Sequence, residues 1–386
     1  MKINIKLITL LLISLYVNGV FSQTFKKYYG GKNTEYGTSI ALSANGSLVV
    51  AGSSNSSGNK QIFLLKVDAS GKEIWSNNFG GKSYEEGTSV KCTKDGGYVV
   101  CGITKSFKNN YEGDMYLIKT DSLGKEQWSK FYGGEKMEIA NSVLQYSDEG
   151  YVLVGSAKSE DRSQDIYVVK TDEKGNEQWN KTFSAKGTYD AEGTGVCLGK
   201  NEGIIVGGAI QNEKGFNNVL IKIGAGKDSS WQKNSGGQES NHIRSVKSCT
   251  DQGIVCCGII GGGKGNAFIM KNDAKGNKIW VKNIGFPASS EVFNDVIESS
   301  DKCYVAVGSN DAQGGNGKYD VYVVKFDAKG KVIWEKFLGT PADDYGNAIV
   351  ETKNGGFAIT GTSNYDANSS EQILIYKINS KGEVEP

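Results

Sequence analysis

The chain has 386 residues, with 44 basic and 43 acidic side chains and a formal charge of +1. Near-neutral charge without a basic block argues against a nucleic-acid partner and against electrostatic attachment to a membrane. The single His (His242) excludes multi-His metal sites, and only two Arg, Arg162 and Arg244, exclude a site built from several guanidiniums. We therefore expect no metal and no cofactor. With 52 Gly, 3 Pro and 19 Tyr, the composition is typical of a turn-rich β protein.

The N-terminal segment has the pattern of a secretory signal peptide. Lys2 and Lys6 flank the start of an apolar run at 7–17, and Val20 and Ser22 stand at the small-residue positions before Gln23. The run is too short to span a bilayer. We expect residues 1–22 to be cleaved, which leaves no membrane span and predicts a secreted, periplasmic or cell-surface protein. An uncleaved anchor is the alternative.

The seven cysteines all lie beyond that segment, so an exported chain could oxidise them, although the odd number leaves at least one free. Cys92 and Cys101 flank one predicted tight turn, and Cys249 and Cys256 flank another, so each pair could be cross-strand neighbours. The favoured interpretation is that the cysteines are small buried hydrophobic residues within strands.

Internal repeats indicate the fold. All six tryptophans recur at intervals of 49 to 54 residues, at Trp75, Trp128, Trp179, Trp231, Trp280 and Trp334. Such a period is typical of propellers and other repeat architectures. One unit, EEGTSVKCTKDGGYVVCGITKS followed by a loop and DMYLIKTDSLGKEQWSKFYGG, predicts four strands. They lie near 88–93, 98–104, 115–121 and 125–132, with turns at Asp95-Gly96 and Gly124.

Seven units are present, because the eight-residue spacing of Val90 and Tyr98 recurs seven times. In the last unit the tryptophan position falls on Pro386, the final residue, whereas Phe25 in TFKKYYGG stands at the same offset before a Gly-Gly pair. The N-terminal segment should therefore supply the outer strand of the last blade and close the ring. The sequence predicts an all-β, seven-bladed β-propeller with four antiparallel strands per blade, as a single domain over 23–386.

The run D-x-x-G-(K/N)-x-x-W, as in DSLGKEQW and DEKGNEQW, resembles the tryptophan-docking repeat of quinoprotein-like β-propellers. The whole unit is similar to tandem propeller repeats of exported proteins. The resemblance covers Phe25 to Pro386 and implies the fold rather than a function. Quinone-dependent dehydrogenases usually have eight blades and an Arg that holds the cofactor, and sialidase Asp-boxes have a different spacing, so both enzyme interpretations are rejected.

A lysine stands nine residues before each tryptophan position, which places it across a hairpin from the indole. The stem should cover the ring and the ammonium should reach its face. A residue repeated in every blade is expected to be structural rather than part of a polyanion site. The column comprises Lys66, Lys119, Lys170, Lys222, Lys271, Lys325 and Lys377.

A second column precedes each innermost strand and is mostly acidic: Glu35, Glu85, Glu138, Asn241, Glu291 and Asp344, with Ala191 in the fourth unit. These side chains should lie on the top face near the central channel. A partial carboxylate ring there could bind a cation or a basic group. The alternative is that each carboxylate hydrogen-bonds backbone N–H groups of the neighbouring blade.

The loops on the same face vary in length and are rich in Ser, Asn, Gly, Tyr and Lys, which is typical of a recognition surface on a fixed scaffold. Phe107, Tyr111, Tyr319 and Tyr365 are its aromatic candidates. The leading hypothesis is a monomeric, non-catalytic module that binds a protein or glycan through the top face. The alternatives are a carbohydrate-active hydrolase or lyase using two top-face carboxylates, and a structural or surface-layer repeat protein.

Overall fold

The computed structural model describes residues 24–31, 33–107, 112–160, 163–184, 189–224, 229–236, 240–261, 265–311, 318–365 and 370–384. They form 28 strands in seven four-stranded antiparallel sheets, with one 3-10 helix at Lys200–Glu202. This confirms the predicted seven-bladed β-propeller. The signal-peptide prediction for residues 1–22 falls outside the described residues. The described part of the chain contains no helix that is long and apolar enough to cross a membrane.

Each blade runs from strand A, which lines the axis, to strand D on the outside. The A strands are β2 (Glu35–Leu42), β6 (Glu85–Cys92), β10 (Glu138–Gln145), β14 (Ala191–Leu198), β18 (Asn241–Ser248), β22 (Glu291–Glu298) and β26 (Asp344–Glu351). The B strands are β3 (Leu48–Ser54), β7 (Tyr98–Thr104), β11 (Tyr151–Lys158), β15 (Ile204–Asn212), β19 (Ile254–Ile260), β23 (Tyr304–Asn310) and β27 (Phe357–Ser363).

The C strands are β4 (Gln61–Val67), β8 (Asp114–Thr120), β12 (Gln164–Thr171), β16 (Gly215–Ile223), β20 (Asn266–Asn272), β24 (Asp320–Phe326) and β28 (Gln372–Ile378). The D strands are β5 (Glu73–Phe79), β9 (Glu126–Tyr132), β13 (Glu177–Phe183), β17 (Ser229–Ser235), β21 (Lys278–Ile284), β25 (Val332–Leu338) and β1 (Phe25–Tyr29). In the second blade, strand A begins at Glu85, three residues before the predicted position, whereas strand B coincides with the prediction.

The ring closes as the position of Phe25 in the sequence predicts. β1 pairs antiparallel with β28, and Phe25 lies opposite Lys377, in the register that Trp75 and Lys66 occupy in the first blade. The seventh sheet therefore combines both ends of the described chain in the order β1-β28-β27-β26. This pairing covers the strand edge that an incomplete last blade would expose.

The core consists of hydrophobic layers between adjacent blades. Strands B and C are buried on both faces, because each sheet packs against a neighbour on either side. In one such layer, Val99 and Leu117 of the second blade pack with Val143 and Leu153 of the third. This stacking explains why strand B reads as a continuous apolar run rather than an alternating one.

The tryptophans join the blades at the outer rim. The indole of Trp75 in the first blade covers Gly124 in the C–D turn of the second, where φ is +78° and an added Cβ would lie 2.7 Å from the ring. The same contact recurs at Trp128, Trp231, Trp280 and Trp334, and Phe25 makes it against Gly71. The repeated turn glycine is thus required both by its positive φ and by the indole of the preceding blade.

The lysine column lies opposite the tryptophans as predicted, but the predicted cation–π contact is not its main interaction. In four blades the buried ammonium instead forms an ion pair with the Asp of the A–B turn, at 2.6 to 2.8 Å. The pairs are Lys119–Asp95, Lys170–Asp148, Lys271–Asp251 and Lys325–Asp301. A carboxylate within reach outweighs a ring face because it matches the full charge. In the first blade this turn has Asn45, and there Lys66 lies over the rings of Trp75 and Tyr98.

All seven cysteines are free thiols. Cys101, Cys197, Cys249, Cys256 and Cys257 are buried within the blades. This agrees with the favoured sequence interpretation and not with the two possible disulfides. Burial raises the pKa of Cys101 and of Cys197 to about 12, so these thiols stay protonated and unreactive.

Candidate functional site

The acidic column marks the blade junctions on the top face, where the D–A and B–C connections lie. Glu35, Glu85, Glu138, Glu291 and Asp344 each open an A strand, and each is almost fully buried. Glu85 shows the arrangement most clearly: its carboxylate accepts hydrogen bonds from the Gly81 N–H at 3.1 Å and from the Thr104 hydroxyl at 2.9 Å. The carboxylate therefore ties the incoming loop to strand B of its own blade.

Two other members also accept hydrogen bonds from the loop that leads into their strand. Glu35 accepts from the Gly31 N–H and the Ser54 hydroxyl, and Asp344 accepts from both the N–H and the hydroxyl of Thr340. Asn241 is buried at the equivalent position of the fifth blade, and Ala191 takes that position in the fourth. Within the described ranges, no group of three or more His, Cys, Asp or Glu side chains is arranged to hold a metal ion.

Burial also affects the charge of this column. It raises the pKa of both Glu35 and Glu291, although hydrogen bonds from their neighbours oppose the effect. The acidic members of the column are separate carboxyl groups, each buried at the start of its own A strand. The contacts of Glu35, Glu85 and Asp344 agree with the backbone-binding alternative in that each accepts from an N–H group, but the donors lie in the loop that leads into the same strand, and hydroxyl groups also donate.

Three of the aromatic residues singled out in the sequence, Phe107, Tyr319 and Tyr365, lie in described parts of the B–C loops. Tyr365 is 58% exposed and stacks on Tyr28, with ring centroids 4.6 Å apart. Phe107 is 46% exposed and lies against Tyr116 and Phe131. Tyr111 lies outside the described residues.

Tyr319 and three further tyrosines form a line along the top face that we call the tyrosine arc: Tyr319, Tyr345, Tyr36 and Tyr84. All four are partly exposed. They belong to consecutive positions of the ring, from the sixth blade through the seventh and first to the second. Tyr319 and Tyr345 contact each other with ring centroids 5.2 Å apart.

Charged side chains hold the rest of the arc. The Tyr36 phenol hydrogen-bonds the Glu371 carboxylate, and burial together with that carboxylate raises the pKa of Tyr36 to about 12. The Lys60 ammonium lies 5.0 Å from the Tyr36 ring centre and 5.2 Å from that of Tyr84. It is fixed there by an ion pair to Glu86 at 2.8 Å, and the Tyr84 hydroxyl donates to the same carboxylate.

Further lysines flank the two ends of the arc. Lys105 lies over Tyr84 with its ammonium 5.6 Å from the ring centre, and Lys318 lies over Tyr319 at 5.8 Å. Both are cation–π distances. The arc therefore presents rigid rings with both acidic and basic groups between them, which is an amphipathic surface suited to recognition.

Of the four members, the loop pattern in the sequence indicated only Tyr319. The signal of the other three was adjacency to the acidic column: Tyr36 and Tyr345 directly follow Glu35 and Asp344, and Tyr84 directly precedes Glu85. Because side chains alternate along a strand, a residue next to a buried carboxylate faces the opposite way. The alternation could have identified these residues, whereas loop variability could not.

Comparisons with known proteins add the fold class. No family model matches the chain, and no curated protein matches it. The chain is similar to the solved WD40 domain of Pan2 from Neurospora crassa, with a TM-score of 0.54, 11% identity and 92% of each chain covered. It is also similar to a protein of unknown function from Dyadobacter fermentans, with a TM-score of 0.50, 13% identity, and 92% of this chain and 98% of that one covered. At these identities the likeness shows a β-propeller fold alone.

Proposed function

We propose that this protein is an exported, non-catalytic binding module that recognises a partner protein through the tyrosine arc on its top face. The observation that carries the proposal is the arc itself: four partly exposed rings held by neighbouring ion pairs and hydrogen bonds across four adjacent blades. Tyrosine is enriched at the energetic centres of protein interfaces, since it offers a large contact area with little side-chain entropy to lose.

Other parts of this proposal rest on the sequence. The apolar segment at 7–17 supports export with cleavage before Gln23, and a monomer is the default state. The docking of five of the six indoles on the next blade supports the kinship with quinoprotein-like tryptophan-docking repeats. N-terminal sequencing of the mature protein tests the cleavage: a chain starting at Gln23 supports export, and a retained Met1 contradicts it.

The carbohydrate-active alternative lacks support from the acidic column. A hydrolase needs one carboxylic acid and one carboxylate facing a shared substrate, whereas Glu35, Glu85 and Glu291 are buried in separate blade junctions and engaged by hydroxyl and N–H donors. Single Gln variants of these residues should alter stability while leaving any polysaccharide turnover unchanged. Loss of turnover in one specific pair would revive the enzyme hypothesis.

The binding test compares immobilised wild type with a Tyr36→Ser/Tyr345→Ser double variant. Tyr146→Ser serves as the matched control, because Tyr146 is a partly exposed tyrosine beside an A–B turn on the opposite face. Proteins retained from the source organism are quantified, and the purified hit is titrated directly; a glycan array is run with the same three proteins.

A single protein that binds wild type and Tyr146→Ser, but binds the double variant roughly tenfold more weakly or worse, supports the proposal. A glycan that shows this pattern in place of a protein assigns the arc to carbohydrate recognition. Equal binding by all three proteins overturns the role of the arc. Circular dichroism of each variant confirms that it is folded.

A further inference from the structure

A ring of side-chain hydrogen bonds surrounds the central channel. Every A–B strand pair has a bulge after the third residue of strand A, and bulges re-aim the side chain at the extra position. In six blades that residue is Thr or Asn, and it donates to a backbone carbonyl of the next A strand at 2.6 to 2.8 Å. The six donors are Thr38, Thr88, Asn141, Thr194, Asn294 and Asn347.

The fifth blade is the exception, because the bulge residue there is Arg244. Its side chain is exposed and lines the channel. No hydrogen bond or ion pair within the described part of the chain engages its guanidinium. One of only two arginines in the sequence therefore replaces a structural link and places a cation at the channel wall.

Among the described residues that line the channel, Asp295 is the only acidic one, and it already has its partners. The buried Asp295 carboxylate accepts from the Ser245 hydroxyl at 2.6 Å, the Ile349 N–H at 3.2 Å and the Val296 N–H at 3.0 Å. Lys247 forms an ion pair with it at 2.9 Å. This pair is neutral as a unit, so Asp295 does not balance the remaining cations in the channel.

Lys91 is the second unbalanced cation. It lines the channel from the second blade and has no ion-pair partner among the described residues. Burial lowers the pKa of Lys91 to about 8, and the nearby charge of Lys247 adds to this effect more than Asp295 offsets it. The site therefore disfavours its own cation, and a bound anion would relieve that penalty.

The channel wall provides the other requirements of a ligand site. Its volume is about 590 Å³, which is within the range of small-molecule pockets. Apolar side chains, among them Leu144, Ile297 and Val350, line the channel together with Thr, Ser and Asn side chains of the A strands. The low-dielectric protein on all sides of the channel focuses the field of these cations and strengthens their attraction for an anion.

We propose that the central channel binds a small oxyanion ligand, a carboxylate or a phosphate, between Arg244 and Lys91. Arg244 presents the planar donors that match two oxygens of such a group, and Lys91 supplies a second charge. The site is separate from the tyrosine arc, since it uses the axis-facing side of strand A. A negative result for anion binding in the channel can therefore be distinguished from a negative result for partner binding at the tyrosine arc.

The experiment titrates the mature chain with inorganic phosphate and with citrate at constant ionic strength, with sodium chloride as the reference. Isothermal calorimetry and thermal denaturation are recorded for wild type, Lys91→Met and Arg244→Gln. Lys278→Met is the matched control, since Lys278 is an exposed residue on the outer strand and its loss changes the net charge by the same amount.

We expect saturable binding to wild type with a rise in melting temperature, as mass action requires. Both channel variants should bind roughly tenfold more weakly or worse, and Lys278→Met should match wild type. Binding of phosphate alone assigns the ligand to phosphate compounds, and binding of citrate alone to carboxylates. No saturable binding of either probe up to ~10 mM, or equal weakening in Lys278→Met, overturns the proposal.

A second measurement on wild type removes the dependence on variant folding. Pulse acetylation at pH 8 with mass spectrometry should modify Lys91 despite its partial burial, because a large share of its amine is uncharged there. The probe that binds should protect Lys91 and leave Lys278 unchanged. Unprotected Lys91 at a saturating probe concentration would place the bound anion elsewhere and contradict the proposal.

Discussion

The indole of Trp75 covers Gly124 of the next blade so closely that no side chain fits between them. Gly96, in the A–B turn of the second blade, has almost the same backbone conformation, with φ +81° against +78°, but nothing lies within 4 Å of the position of an added Cβ. The two glycines therefore separate the effect of backbone strain from that of blade docking.

Gly124→Ala should destabilise the protein more than Gly96→Ala. Strain from a positive φ applies to both variants and is worth roughly 1–3 kcal/mol. Only Gly124→Ala must also displace the indole, which we expect to add about 1 kcal/mol or more. Urea denaturation followed by tryptophan fluorescence measures both. Equal losses would mean that the indole contact contributes nothing to stability.

An ion pair of the lysine column can be removed from one blade and introduced into another by single substitutions. Asp301→Asn removes the partner of Lys325, whereas Asn45→Asp gives Lys66 a carboxylate in the equivalent turn. At pH 7 the first change should lower the free energy of unfolding and the second should raise it, each by about 0.5–1.5 kcal/mol because the carboxylate is partly solvated. Denaturant titration of both variants and of wild type checks the opposite signs.

The same pair predicts a pH dependence. Burial opposes ionisation of Asp301, but bonds from Lys325 and Ser299 outweigh it and lower the pKa from 3.8 to about 2. The folded state therefore binds this proton less tightly than the unfolded chain does, and the stabilisation is lost as the pH falls from about 4 to about 2. Asp301→Asn should show a shallower decline in that window. A parallel decline in wild type and variant would contradict the assignment.

Arg244→Thr should complete the ring of hydrogen bonds around the channel. A threonine hydroxyl at the bulge would donate to the next A strand, as Thr88 and Thr194 do, and one such bond contributes about 0.5–1.5 kcal/mol. Arg244→Ala is the control, since it removes the same charge without adding a donor. A higher melting temperature for the Thr variant than for the Ala variant is expected; equal values would show that the ring does not contribute to stability.

The thiols can be counted directly. Cys92 and Cys303 are partly exposed and the other five cysteines are buried. Under native conditions a thiol reagent should therefore modify at most these two, and all seven after denaturation. Mass spectrometry identifies the modified residues. A denatured count below seven would show that some cysteines form disulfides.

The repeats made the fold predictable because each of its constraints recurs in sequence. The tryptophan spacing indicated the blades, and Phe25 indicated the closing strand.

The details of the candidate site were less predictable. The acidic column was placed at the starts of the A strands, but the sequence could not decide between a shared ring of carboxylates and separate buried groups, since that depends on where the loop N–H groups point. Lys119 was matched to the right indole but not to Asp95, because the pair forms across two turns. The sequence distinguishes Arg244 only as one of two arginines, whereas the structure shows that it occupies the bulge position of its A strand.

The pairing of β1 with β28 has a consequence for how the chain folds. Phe25 and Lys377 are neighbours in one sheet, so nearly the whole sequence lies between the two strands that close the ring. Blades one to six can form from contiguous segments as they are synthesised, whereas the seventh must wait for residues near the C-terminus. Until then β1 remains an unpaired edge strand. A chain truncated before Gln372 should therefore keep six blades but expose this strand, and it should associate with other copies rather than remain a stable monomer.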